Sequence, residues 1–185
     1  MNKEQLLKYE IDMDGELRGG SRQGFMPNDV GYLDLVEILG EPWVYKNGYK
    51  TDFEWQGTFK GEGFTIYNYK SGANYCGEEG LPIESHFGDD LHIGGKDTLR
   101  TKEFKAIILK LVEEKKIEIL ELIKKGKRKG CSNCGHTRFT ANQIQRYNVV
   151  VDVDGNWQEN CECYDSENPY SPFVCIKCGT AFEEL

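Results

Sequence analysis

Apolar and polar positions alternate most sharply over Thr51–Phe59 (TDFEWQGTF), where Phe53, Trp55, Gly57 and Phe59 interleave with Asp52, Glu54, Gln56 and Thr58. A period of two marks a strand with one buried face. Lys60-Gly61-Glu62-Gly63 reads as a turn, and Phe64–Tyr69 (FTIYNY) as the returning strand. A four-residue loop sets Phe59 opposite Phe64, Gly57 opposite Ile66, Trp55 opposite Asn68, Gln56 opposite Tyr67 and Glu54 opposite Tyr69. One face becomes a core wall. The other is polar and carries the phenols of Tyr67 and Tyr69.

A helical period follows further on. Over about Thr98–Lys125, Phe104, Ile107, Ile108, Leu111, Val112, Ile119, Leu120, Leu122 and Ile123 form one apolar stripe, with Glu and Lys on the remaining positions. The segment is acidic early and basic late, in line with the helix dipole. Asp97 or Thr98 is the expected N-cap. A shorter helix is predicted over Asp29–Gly40, stopped by Gly40 with Pro42 beyond it. Arg138–Val153 is rich in Thr, Gln, Tyr and Val, with Asp154-Gly155 as a hairpin turn and Tyr164–Pro172 as a loop. The predicted class is α+β. A small antiparallel sheet with helices occupies residues 1–125, a basic linker 126–130, and a mostly β domain 131–185.

Composition narrows the classes. The chain has 185 residues, 38% hydrophobic and 29% charged, which suits a packed core and argues against wholesale disorder. No uncharged run reaches the roughly 20 residues that span a bilayer, and the N-terminus lacks a secretory h-region, so the expectation is no membrane and a cytoplasmic location. The formal net charge is −8. Residues 101–130 run against it, with 10 basic and 5 acidic side chains. An acidic protein with one basic band is a poor general binder of phosphate backbones but can hold nucleic acid locally. The band ends in Lys124, Lys125, Lys127, Arg128 and Lys129, the candidate nucleic-acid contacts; so short a run also serves as a solvated linker.

Seven cysteines do not close as a disulfide set, and four of them are spaced for another purpose. Cys131-Ser-Asn-Cys134-Gly and Cys175-Ile-Lys-Cys178-Gly each place two sulfurs on one tight turn, followed by a glycine. Two such knuckles form a closed Cys₄ site for tetrahedral Zn²⁺. Paired redox dithiols are the alternative, which two matching Cys-x-x-Cys-Gly motifs disfavour. The pattern resembles a zinc ribbon, in which each knuckle sits on a hairpin tip. The 40 residues between the pairs exceed the common spacing of roughly 15–20. Cys161 and Cys163 could replace a ligand of one knuckle or form a transient disulfide, but read first as strand residues on one face, and Cys76 reads as a small buried residue.

Other chemistry-bearing groups are less specific. Ser85–His92 gathers His86, Asp89, Asp90 and His92, a set that could bind a divalent metal or supply a base, or be an ordinary turn. Gly94-Gly95-Lys96 ahead of the long helix could present N–H groups and a cation to a phosphate, but it lacks the Walker spacing. With Tyr67, Tyr69 and His92 it makes a candidate site for a small phosphorylated ligand such as a nucleotide. Asp52 and Glu54 share a strand face, as paired carboxylates or simply as its solvated side.

The segments Lys50–Trp55 (KTDFEW), Phe64–Lys70 (FTIYNYK) and His92–Gly95 (HIGG) together resemble small proteins of bacteriophages and prophages, over about residues 30–125. That resemblance transfers no catalytic motif. It implies a binding role, exerted on host nucleic-acid machinery or on a host defence system. The leading expectation is a non-enzymatic zinc protein that docks on nucleic acid or a host protein complex. A small-ligand binder or enzyme, and a structural or assembly protein that could form a homo-oligomer, are the alternatives.

Overall fold

The computed structural model describes residues 3–15, 20–46, 48–96, 98–137, 139–142, 145–151, 157–166, 168–175 and 177–184. The chain divides into two compact units, Met1–Lys115 and Lys116–Leu185, each α+β or β in content.

In the first unit the strands are β1 (Ile11–Asp12), β2 (Ser21–Phe25), β3 (Trp43–Val44), β4 (Phe53–Phe59), β5 (Glu62–Asn68) and β6 (Leu91–Gly95). They form one antiparallel sheet in the order β1-β4-β5-β6-β2, with β3 also on β4. The helices are α1 (Lys3–Leu7), α2 (Tyr32–Leu39), α3 (Ala73–Cys76) and α4 (Thr101–Lys124).

The alternation in β4 holds residue for residue: Phe53, Trp55, Gly57 and Phe59 are buried, and the positions between are half-buried. Ile66 of β5 and Ile93 of β6 lie in register with Trp55, so three strands present one apolar row. Helix α4 seals this wall through Phe104, whose ring meets Phe59 at 5.4 Å and Phe64 at 4.5 Å between centroids. Helix α2 seals the other end, with Tyr32 against Phe53 and Trp55. Gly40 ends α2 at φ 86°, as the sequence predicts, and its carbonyl accepts from Trp55 Nε1 at 2.7 Å.

The register differs from the expected one by two residues. Lys60 and Gly61, at φ 51° and 77°, form a two-residue turn, and Glu54 pairs with Tyr67, Trp55 with Ile66 and Phe59 with Glu62. Both central residues at positive φ match the twist of a tight hairpin. A slip of two keeps every side chain on its predicted face and changes only its partner. The long helix starts at Thr101, later than expected; the Thr98 hydroxyl donates to Glu62 instead of capping it, and Asp97 lies outside the described residues.

Asp52 also departs from expectation. It does not share the exposed face with Glu54 but is buried, accepting from Asn68 Nδ2 at 2.6 Å and from the Asn74 N–H at 2.9 Å. Asn68 Oδ1 in turn accepts from the N–H groups of Asp52 and Phe53. His86, wholly buried, donates from Nδ1 to the Ile83 carbonyl at 3.0 Å, which leaves Nε2 to accept from Ser71 Oγ and Asn68 Nδ2. This closed network pins the segment after β5 to the sheet. Asn68→Ala removes a donor from a buried carboxylate and an acceptor from two main-chain groups. It is expected to cost on the order of 3 kcal/mol, read as a lowered urea midpoint.

In the second unit, β7 (Phe139–Asn142), β10 (Tyr170–Cys175) and β11 (Ala181–Phe182) form a sheet in the order β11-β10-β7. β8 (Gln145–Val151) and β9 (Trp157–Ser166) pair antiparallel. Much of the expected loop Tyr164–Pro172 is therefore strand, and the Asp154-Gly155 turn lies outside the described residues.

Candidate metal centre and sheet-face residues

The second knuckle, Cys175–Cys178, joins β10 to β11 and sits at a hairpin tip as expected. The first, Cys131–Cys134, instead links the end of α4 to β7, so helix and strand position it. Each knuckle closes on itself in the same way: the N–H of Gly135 donates to the Cys131 carbonyl and that of Gly179 to the Cys175 carbonyl, both at 2.8 Å. Gly135 and Gly179 stand at φ 79° and 70°, a conformation that explains the glycine after each pair. A Cβ on Gly135 would in addition strike Ile119 at 2.8 Å.

The four sulfurs all lie within 4.8 Å of one another. Two approaches bridge the knuckles, Cys131 to Cys178 and Cys134 to Cys175, each at 3.6 Å. All four are free thiols. A tetrahedral site with metal–sulfur bonds of about 2.3 Å has edges of about 3.8 Å, so the measured approaches fit a shared ion.

The surroundings of the sulfurs suit thiolates held by a cation. Burial pushes the Cys134 thiol well up and that of Cys175 up; against this, backbone N–H groups donate to both, from His136 to Cys134 and from Cys178 and Lys177 to Cys175. Burial acts in the same direction at Cys178 but is outweighed by hydrogen bonds from Thr180 and Asn133, which bring that thiol down to about 6. Such N–H and O–H donors orient and tune thiolate ligands. Four protein sulfurs leave no open coordination position for a substrate.

Of the remaining cysteines, Cys161 and Cys163 fall on β9, two positions apart. Cys76 is exposed at the end of α3, not buried as expected, with Sγ 3.3 Å from the Lys70 carbonyl. The His86–His92 set is split by the sheet: His86 lies beneath Phe53, whereas His92 is on the opposite face. Among the described residues, the four cysteines are the group of metal-ligating side chains that converges.

Gly94 and Gly95 are strand residues of β6, between β5 and β2, and not a turn before the helix. Gly95 faces the core, where a Cβ would meet Leu99 at 2.7 Å. Lys96 is exposed just after the strand. Tyr67, Tyr69 and His92 do come together, with ring centroids 5.4 and 5.6 Å from His92. Burial lowers the His92 pKa, with the Arg22 charge adding to it, and burial raises that of Tyr67. The sequence reading missed β2, which adds Phe25 at 4.8 Å from the His92 ring. Its polar spelling, SRQGF, hides it; the clue available was the Arg-Gln-Gly-Phe mix of a half-exposed edge.

In the basic band, Lys124, Lys125, Lys127 and Lys129 are exposed and Arg128 is half-buried. Lys125 pairs with Glu121 at 3.3 Å, one helical turn back. No helix of the described residues is long and apolar enough to cross a membrane. No protein-family model matches the chain, and no curated protein matches it by sequence.

Proposed function

We propose that the chain is a non-enzymatic zinc protein whose C-terminal unit and basic band dock on nucleic acid, free or within a host complex that processes it. The observation that carries this reading is the convergence of the Cys131, Cys134, Cys175 and Cys178 sulfurs within 4.8 Å of one another. Thiolate-only, four-coordinate sites suit Zn²⁺, with iron as the competing ion, and a closed zinc site of this kind serves folding rather than catalysis. When bound, the ion supplies binding energy that becomes folding energy for a small unit. Lys124, Lys125, Lys127 and Lys129, directly before the first knuckle, supply the charge. The acidic remainder of the chain keeps such binding local.

The test combines metal content with a band-shift titration. One zinc per chain is expected, together with retardation of nucleic acid that weakens as salt rises. Neutralising Lys124, Lys125, Lys127 and Lys129 to glutamine is expected to weaken binding about tenfold or more and to flatten the salt dependence. Binding that is indifferent to all four substitutions would remove the band from the account.

A further inference from the structure

The sheet of the first unit has a second face, opposite the one sealed by α2 and α4. Its register draws a single row across five strands: Trp43 pairs with Glu54, Glu54 with Tyr67, Tyr67 with His92, and His92 with Phe25. Residues directly opposite one another in an antiparallel ladder lie on the same face. At about 4.8 Å per strand, the row is ~19 Å long. Four of its five members are flat rings, and Tyr69 adds another beside His92.

The row is open at its Trp43 end and beside Tyr69, which are 73% and 40% exposed, half-buried at Glu54, Tyr67 and Phe25, and closed over His92 at 9%; a strongly apolar indole is left in water. Cations are threaded among the rings. Arg22 lies over Phe25 at 5.1 Å, Lys50 over Tyr49 at 4.6 Å and Tyr69 at 5.8 Å, and Lys70 over Tyr69 at 5.4 Å and Tyr75 at 5.2 Å. The carboxylates that act on the row are Glu54, which hydrogen-bonds Gln56 and Tyr45, and Asp90 near His92. The three cations outnumber them, although the chain as a whole is acidic.

Rings that offer stacking faces, with positive charge between them, match one polymer chemically. Unpaired bases stack on aromatic side chains whatever their identity, while the phosphates between them seek Arg and Lys. A duplex hides its base faces and offers no such match. From this geometry we infer that the exposed rings on this face of the N-terminal sheet, Trp43 and Tyr69 with the half-buried Tyr67 and Phe25 and with His92 as the packed base beneath them, form a stacking platform for single-stranded nucleic acid. The inference extends the nucleic-acid reading to a second surface, remote in sequence from the cysteine centre and the lysine band, and the two surfaces can be tested apart.

The experiment is fluorescence anisotropy of the full-length protein with a labelled 12-nucleotide oligo-dT, oligo-rU and a duplex of equal length, at low and physiological salt. Single strands are expected to bind more tightly than duplex. Trp43→Ala and Tyr69→Ala are each expected to weaken single-strand binding about tenfold, and Tyr69→Phe to restore it. A second readout does not depend on a weakened variant: oligo-dT should quench tryptophan emission, and Trp43→Phe should remove the quench while binding persists. Loss of binding in the lysine-band variant with the ring variants unaffected would overturn the platform and leave the proposed function standing. Loss in the ring variants alone would leave the platform standing and remove the band. Equal binding of duplex and single strand, or no single-strand binding at low salt, would overturn the platform.

Discussion

Cys175→Ser is expected to unfold the C-terminal unit of the full-length protein while the N-terminal unit melts as before. Cys175 is almost fully buried at the end of β10, and its sulfur lies 3.6 Å from that of Cys134. A serine hydroxyl does not ionise near neutral pH and is a poor ligand for a soft thiolate site, so the substitution removes one corner of the tetrahedron. Structural zinc contributes on the order of 10–16 kcal/mol to a small domain, as much as the whole stability of an ordinary one. The Lys116–Leu185 unit is of a size at which a structural metal commonly makes up for a small core. Metal counted by native mass spectrometry should fall from one ion per chain to none. A chelator added to the wild type should give the same melting curve as the variant. An unchanged two-unit melt in Cys175→Ser, with no metal bound, would show that the centre does not hold the fold.

Phe104→Ala carries the second largest effect, and in the other unit. The side chain is wholly buried between α4 and the sheet, with its ring against Phe59 and Phe64 on adjoining strands. Truncating it leaves a cavity at the junction that joins the helix to β4 and β5. Phe→Ala changes in such positions cost about 3–5 kcal/mol, because the lost burial and the unfilled space add together. The expected result is a large drop in the urea midpoint of the N-terminal transition, with zinc content held at one per chain. Loss of metal in Phe104→Ala would mean that the two units do not fold independently.

The parts legible in the sequence were those whose signal is local. The alternation Phe53–Phe59, the stripe from Phe104 to Ile119, the stop at Gly40 and the two Cys-x-x-Cys-Gly knuckles each reappear in the structure. The hairpin register was misread because a loop length was assigned where the backbone of Lys60 and Gly61 decides: two positive φ values make a shorter turn than composition implies. Strand β6, spelled Leu-His-Ile-Gly-Gly, was hidden because it is buried on both faces and so shows no alternation, and its glycines mimic a turn. Asp52 was misplaced for a related reason. Its burial depends on Asn68 and Asn74, 16 and 22 residues away, and no local pattern announces such a partner. The aromatic row was beyond reach for the same cause, since it exists only once five strands are in register.

The separation of the two knuckles also sets an order of events during synthesis. Cys131 and Cys134 leave the ribosome 44 and 41 residues ahead of Cys175. At about 5–20 residues per second, the first pair of thiols waits roughly 2–8 s for its counterpart. Through that interval the nascent chain carries half a chelate, two sulfurs open to oxidants and to thiophilic ions other than the intended one. Synthesis under oxidising conditions is therefore expected to yield less of the four-thiol cluster than synthesis under reducing ones.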